Sequence, residues 1–336
     1  MKLNEYNTSE WNNYVQKQAD GEVFHLAEWS GILKKTYNYQ PFYYLLRENS
    51  EIRGVLPLIH QKGFLKNNIV TPPSGLLLTD PVKHSREVYN FIVEIQNQTG
   101  SDDFILYNKY QLTNSLKVIN DNVRIVKNLP LTVEGLERDI GKKRRWGVKK
   151  AIENGLHHEV LNPGKKELNI FYKIYAHNYR DLGTPVNAKK FFQNQLDELT
   201  ENIRMLIVRK GDVPICVKWL ILYKNTILSS ESATLRGYFP LRINDYQFYH
   251  AMKFAIENGY HIYNMGRSQR YTGTFDFKKS WGDLQIEDYP VYRTILKSGI
   301  SERKDKFRSV MNIWKKTPVG ITNFLGPLIR KNVELD

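Results

Sequence analysis

One succession of elements occurs twice in this chain, about 160 positions apart, and no other feature restricts the fold as strongly. From Leu45 the segment LLRENSEIRGVLPLIHQ sets apolar and β-branched residues on either side of a short polar turn, and from Leu206 LIVRKGDVPICVKWLILY does the same; both predict antiparallel hairpins. A stretch with aromatics at helical spacing precedes each hairpin: Phe24, Trp29, Leu33 and Tyr37 in one, Phe171, Ile174, Tyr175 and Tyr179 in the other. Each stretch closes on a turn signal, Pro41 or the Leu182-Gly183-Thr184-Pro185 cluster. Downstream, predicted helices stop at Gly100 and Gly259 and lead into strands at 104–107 and 261–263. A common spacing over three element pairs points to a duplicated α/β (α+β) unit, each copy a mixed sheet flanked by helices. Pro130 and Gly135 place the expected boundary at 129–138, which gives domains 1–135 and 136–297 and a tail 298–336.

Charge separates the halves. The chain carries 49 Lys and Arg against 35 Asp and Glu, a net +14, yet residues 1–135 are balanced and the whole excess lies beyond them. An anionic partner follows for the second half: a nucleic acid, a phosphorylated small molecule or an acidic membrane surface. With 41% hydrophobic and 25% charged residues the chain has the composition of a folded globular protein. Its single cysteine, Cys216, excludes an internal disulfide, a cysteine-rich zinc site and a CxxC pair. No apolar run approaches the roughly 20 residues of a membrane-spanning helix. The polar N-terminus has no signal-peptide core, so the expected compartment is the cytoplasm.

Three stretches carry candidate chemistry. Six basic residues fall within 142–150, and Val148, Ala151, Ile152 and Leu156 share one face, so a helix is expected from about Arg144 to a stop at Gly155. Its cationic face, with Lys142 and Arg145, suits a phosphate or RNA; the plainer reading is a solvated helix face. The loop LRGYFPLRIND joins a strand at 229–234 to a helix capped by Asn244 or Asp245, and a helix N-terminus offers N–H groups to an oxyanion. The richest stretch is 263–282, YNMGRSQRYTGTFDFKKSWG. It mixes cations, hydroxyls and glycines between aromatics: Arg267, Ser268, Thr272, Thr274, Phe277, Lys278 and Trp281. Lys278 beside Phe277 puts an ammonium in a partly dry setting, where it stabilises an oxyanion far better than in water. Asp181, Glu231 and Asp276 are alternative bases for deprotonating a nucleophile, each equally a salt-bridge partner. His177, His250 and His261 fit no metal-ligand spacing, so no metal is expected. The tail has more basic than acidic residues, with Phe307, Val310, Met311 and Trp314 on one helical face, a pattern for packing on the second domain or lying on an anionic membrane.

The order GRS, GT, FK and WG within 264–282 resembles the signature of the FemAB-like family, tandem GNAT-fold transferases that add amino acids to peptidoglycan precursors. HLAEW at 25–29, GVLPL at 54–58, KKRRWGVKKA at 142–151 and NYRDLGTP at 178–185 agree with it. WKKTP and LGP within 314–327 resemble the tails of the polysaccharide-associated branch. The resemblance implies two GNAT-like domains and transfer of an acyl or aminoacyl group to an amine of a cell-wall or surface-polysaccharide precursor. By position Phe277 and Lys278 match the family's Phe-Lys pair, set near the acceptor end of the donor and the tetrahedral intermediate; Lys278, with Asp181 and Glu231 among the candidate bases read from the residues, is the expected catalytic set. Arg267 and Ser268 match the strand-end motif. The resemblance implies no resident cofactor; the donor is aminoacyl-tRNA or an acyl-CoA thioester. No heptad stretch between Asn178 and Trp281 supplies the helical arm that tRNA-dependent members often carry, so both donors stay open. The rival reading is a non-catalytic RNA- or phosphate-binding module on a degenerate GNAT fold.

Overall fold

The computed structural model describes residues 2–5, 7–64, 66–294 and 309–332. The chain forms two units, the first from the described residues of 1–121, 288–304 and 328–336, the second from those of 122–287 and 305–327.

The first unit runs β1 (Lys2–Glu5), α1 (Thr8–Lys17), α2 (Glu28–Tyr37), β2 (Gln40–Glu48), β3 (Glu51–Lys62), β4 (Asn67–Val70), β5 (Leu77–Leu78), α3 (Pro81–Thr99), β6 (Asp103–Tyr107) and β7 (Lys117–Ile119), completed by β15 (Val291–Arg293). Its sheet has the order β1-β2-β3-β4-β6-β15-β7, with β5 beside β3. The β2–β3 turn passes through Asn49 and Ser50 at φ 49° and 69°, the left-handed geometry that tight hairpins require. Asp80 caps α3, Pro81 opens it and Gly100 closes it at φ 61°. Between these ends Val88, Ile92 and Ile95 bury one helix face on Leu56, Leu58, Phe104 and Leu106 of the sheet.

The second unit runs β8 (Asn122–Asn128), α4 (Val133–Asp139), α5 (Gly141–Glu153), β9 (Leu156–Leu161), α6 (Lys165–Leu182), α7 (Lys189–Glu198), β10 (Ile203–Lys210), β11 (Val213–Tyr223), β12 (Thr226–Thr234), α8 (Ile243–Glu257), β13 (Ile262–Gln269), α9 (Gly273–Lys279) and β14 (Gln285–Asp288). The sheet order is β14-β8-β13-β12-β11-β10-β9. Successive residues of a strand face opposite ways, and β11 shows the consequence. Trp219 packs against Phe171 of α6 and Phe192 of α7. Leu220 joins the cluster that holds Ile243, Met252 and Ala255 of α8.

The duplication is therefore real in topology. Each unit has an antiparallel hairpin, a third strand, a helix and then a strand parallel to the third, β4 with β6 and β12 with β13. An antiparallel strand lies beyond it, β15 beside β6 and β8 beside β13. Here the expected domain limits are corrected. Strand 122–128, placed in domain 1–135, pairs in the second sheet, and strand 291–293, placed in 136–297, pairs in the first. Pro130 and Gly135 mark only the β8–α4 connection. A strand belongs to the sheet whose strands it hydrogen-bonds, and turn residues carry no information about which sheet that is.

Three further expectations change. Ile152, placed on the buried face of α5, is 55% exposed, while Arg144, placed in the cationic row, is 6% exposed. The cap of α8 is neither Asn244 nor Asp245 but Arg242, at φ 63° after a 3-10 turn over Arg236–Leu241. In the tail, residues 309–316 and Val319–Lys331 are helical; Phe307 lies outside the described residues. Trp314 is buried, and a Cβ on Gly326 would come within 2.7 Å of Val186, so this part of the tail packs on the second unit.

The added strand of the first sheet is locked by charge. Asp103, 0% exposed, accepts from Arg293 Nε at 2.9 Å and Nη2 at 2.7 Å, and from Thr294 N at 3.1 Å. Arg293→Met leaves that carboxylate buried without its cation and is expected to cost about 3–5 kcal/mol in urea unfolding. A loss below about 1 kcal/mol would show that the hydrogen bonds from Thr294 suffice.

Candidate active site

The site arises where the second sheet fails to stay closed. Parallel strands β12 and β13 pair only at Thr226↔Ile262, Ile227↔Tyr263 and Leu228↔Asn264. Just beyond, both strands are interrupted. On β12, Trp219 faces Glu231 and Leu220 faces Ser229, which leaves Ser230 as an extra residue, a bulge that bends the strand. On β13, Gly266 takes φ 73° and its N–H turns to Asn264 Oδ1 at 2.8 Å, breaking the register with β8. A side chain there would be strained, and its Cβ would sit 3.3 Å from the Ser229 carbonyl. The strands part and a cavity of about 650 Å³ opens between them. In the first unit the corresponding gap is sealed. Thr71 N donates to the Ile105 carbonyl at 3.1 Å, and Tyr107 N donates to Thr71 Oγ1 at 2.9 Å.

Hydroxyls and amides face the cavity from several elements: Ser229, Ser230, Ser232 and Thr234 of β12, Asn178 and Tyr179 of α6, Asn244 and Gln247 of α8. Asn178 ties α6 to the end of β12 by donating to the Thr234 carbonyl at 2.9 Å. The far wall is α9, capped by Thr272; this residue accepts from Phe275 N at 3.3 Å and donates to the Gln269 carbonyl at 2.8 Å. One turn on, Phe277 and Lys278 reach the cavity with Thr274. Lys278 Nζ donates to two carbonyls where β13 breaks, Arg267 at 3.0 Å and Gly266 at 3.4 Å. Burial, reinforced by the neighbouring Arg267 charge, lowers its pKa to about 8, so at neutral pH the cation is present but weakly solvated.

Arg144 holds α9 in place. Its guanidinium lies 4.5 Å from the centre of the Phe277 ring and 5.5 Å from that of Trp281, and its nitrogens donate to Ser280 Oγ and, at 2.5 Å, to Asp245 Oδ1. The other Asp245 oxygen takes Arg242 at 2.5 Å. This cluster explains Gly147 within the basic stretch, since a Cβ there would come within 2.3 Å of Asp245 Oδ2.

Of the residues singled out from the sequence, the structure gathers Arg267, Thr274, Phe277, Lys278 and Asn244 around the cavity. Thr272 caps the helix below it, and Trp281 is a fully buried support stacked on Phe248 at 5.6 Å. Ser268 is buried on β13 outside the lining. Glu231 also lies outside it but accepts from Tyr179, a lining residue, at 2.6 Å. Asp181 lies elsewhere, paired with Arg180 at 2.7 Å, and Asp276 is exposed on α9. Lys142 and Arg145 stand on the outer side of α5, away from the lining; Arg145 donates to the Glu137 carbonyl at 2.5 Å. His250 is packed 4.0 Å from His158 and 4.2 Å from Tyr246, ring centre to ring centre, while His177 is half-buried and His261 exposed. Among the described residues no group of His, Cys, Asp and Glu is arranged to hold a metal.

Sequence reasoning missed Lys218. It sits inside the apolar run of β11, 0% exposed, with Nζ donating to Ser229 Oγ at 3.0 Å and lying 3.9 Å from the Phe248 ring centre. A lysine within a strand of continuous apolar residues was the available signal. Cys216 nearby is fully buried and its thiol is pushed up to about 11, which suits packing and not nucleophilic attack.

Comparison with known proteins agrees with this geometry. Residues 137–279 match the acetyltransferase (GNAT) domain family, a segment that runs from the end of α4 to α9. The fold is similar to that of FemX, with TM-score 0.66 and 13% identity over 90% of this chain and 99% of FemX. It is also similar to L-PGS from Bacillus licheniformis, with TM-score 0.58 and 12% identity over 93% of this chain and 98% of that one. A tandem GNAT protein from the clavulanic acid biosynthesis pathway gives TM-score 0.51 and 10% identity over 76% and 82%. No curated protein matches the chain in sequence. The architecture is thus a tandem GNAT fold of the FemX kind, with two mixed sheets flanked by helices.

The lowered pKa of Lys278 predicts a pH dependence with a definite sign. Below pH 8 the folded protein carries a charge that burial penalises, and between pH 8 and 10.5 that lysine is neutral in the folded state but still protonated in the unfolded one. Measured by urea unfolding, wild type should therefore gain on Lys278→Met as pH rises through this window, by up to the order of 3 kcal/mol. A difference that stays flat with pH would mean that the lysine titrates normally.

Proposed function

We propose that this protein transfers an acyl or aminoacyl group from an activated donor to an amine. The observation that carries the reading is the Lys278 ammonium, held by two carbonyls in a cavity opened between parted parallel strands. When an amine attacks an ester or thioester, negative charge develops on the carbonyl oxygen, and a pre-placed cation in a partly dry site stabilises that charge without reorganisation. Phe277 and Phe248 give the cavity an apolar wall, and the β12 hydroxyls that line it orient the donor's polar groups. The donor is aminoacyl-tRNA or acyl-CoA, and the acceptor is an amine of a cell-wall or surface-polysaccharide precursor. The family-like motifs and the shared fold with FemX support this reading.

The test is turnover with acetyl-CoA and with aminoacylated bulk tRNA, uncharged tRNA serving as competitor over a salt series. Binding that requires the aminoacyl group identifies the tRNA donor, whereas a steep salt slope without that preference reports only the basic second half. Lys278→Ala should lower kcat by about 10²–10³-fold while the protein stays folded. An unchanged rate, or tight anion binding without any transfer, would favour a binding module over an enzyme.

The tail supports a peripheral setting at an anionic membrane, beside a lipid-linked acceptor. Within 309–332 there is no Asp or Glu, and Lys315 and Lys316 are exposed. On its last helix Ile321, Phe324 and Leu325 are 49%, 73% and 38% exposed, so the face turned to solvent is apolar while Thr322 and Gly326 pack inward. Vesicles of phosphatidylglycerol should sediment the protein, those of phosphatidylcholine should not, and Phe324→Glu should abolish the difference. Equal sedimentation with both lipids and both proteins would discard the membrane setting.

A further inference from the structure

Two lysines are buried in the second unit with no carboxylate beside them among the described residues. Lys278 reaches the cavity and is held by the carbonyls of β13. Lys218 lies one strand behind it, fully enclosed, and its hydrogen bond goes to the hydroxyl of Ser229, which lines the cavity. An enclosed lysine without a counter-ion is costly, and a methionine would fill the same space at no such cost. Packing does not account for it.

A proton-transfer task does. An attacking amine must lose a proton, and the carboxylates considered for that role are poorly placed. Asp181 and Asp276 are away from the cavity, and Glu231 is engaged by Tyr179. We propose that Lys218, acting through the Ser229 hydroxyl, takes up the proton that the amine loses. This inference rests on the transferase reading. The acceptor ammonium first passes one proton to Ser229 Oγ while the proton of Ser229 passes to Lys218 Nζ, which frees the nitrogen lone pair. The amine nitrogen then forms its bond to the donor carbonyl carbon as the carbonyl's bond to the leaving oxygen or sulfur breaks, and the second nitrogen proton goes to the departing alkoxide or thiolate. Lys218, now an ammonium, returns its proton through Ser229 to water in the cavity once the product has left.

The two lysines divide the work by charge. Burial lowers the pKa of Lys218 to about 7, with Lys278 adding to the effect and Cys216 opposing it, while that of Lys278 is about 8. Full enclosure beside a single hydroxyl disfavours the charged form of Lys218, whereas the Gly266 and Arg267 carbonyls favour the charged form of Lys278, the form that an oxyanion needs. The groups facing Lys218 are Cys216 on its own strand, Ser229 on β12, Lys278 on α9 and, on α8, the Phe248 ring. A neutral Nζ at 3.0 Å from Oγ has a lone pair to accept the serine proton.

The experiment compares full-length wild type, Lys218→Met, Ser229→Ala and Lys278→Met, using whichever of acetyl-CoA and bulk aminoacyl-tRNA supports turnover. Two acceptors are used: ethanolamine, protonated at neutral pH, and hydroxylamine, already neutral there. Lys218→Met and Ser229→Ala should lose about 10²-fold or more with ethanolamine and far less with hydroxylamine. They should also lose the fall in kcat that wild type shows as pH drops below 7. Lys278→Met should lose activity with both amines alike. Equal losses with both amines in the Lys218 and Ser229 variants, or no loss, would overturn the relay. Absence of wild-type turnover with either donor would overturn the transferase reading itself, and the relay with it. Should Lys218→Met fold poorly, lysine-Cε NMR of wild type, assigned with Lys218→Arg, decides: Lys218 titrating near 7 supports the relay, and titration above 9 overturns it.

Discussion

The interrupted pairing of β12 and β13 is the constraint on which the rest of the second unit depends. Two parallel strands that stayed in register would hydrogen-bond along their length and leave no room for a ligand. The bulge at Ser230 and the left-handed Gly266 release that pairing after three residue pairs. The parting exposes the carbonyls that hold Lys278 and gives the β12 hydroxyls a space to face. Everything around the gap then secures it: α9 through its Thr272 cap, α8 through Asp245, and α5 through Arg144, whose guanidinium ties the last two together.

The first unit shows the same topology without this opening. Thr71 there supplies an N–H to one carbonyl of β6 and an oxygen to one N–H of β6, so the parallel pair remains joined past its regular ladder. Duplication therefore supplied two frameworks, and local chemistry separates them: Thr71 joins the parallel pair of the first, while the Ser230 bulge and Gly266 part that of the second. Strand β15, which follows the second unit's main segment in sequence, pairs in the first sheet, and the tail within 305–327 belongs to the second unit, so neither unit is a continuous piece of chain.

Much of this was legible from the residues in order. Both hairpins, the helix stops at Gly100 and Gly259, and the importance of 263–282 follow from periodicity, turn chemistry and residue type. Phe277 and Lys278 stand out because adjacent aromatic and cationic residues near a strand end are suited to a half-dry site. The roles of Arg144, Gly147 and Lys218 were not legible. Arg144 is one of six cations in nine residues, and only the position of Asp245, about a hundred residues away in sequence, selects it for burial. Lys218 is a lone charge in an apolar strand, and its meaning depends on Ser229, which takes its hydrogen bond and lines the cavity.

The sequence by itself determined the element types, the duplication and the basic character of the second half, because helical and strand periods and capping residues act over a few positions. The tertiary structure decided which sheet strands β8 and β15 join, which cations are buried and where the sheet opens. Those outcomes depend on hydrogen-bond register and on charges meeting across long sequence separations, and no local pattern encodes either.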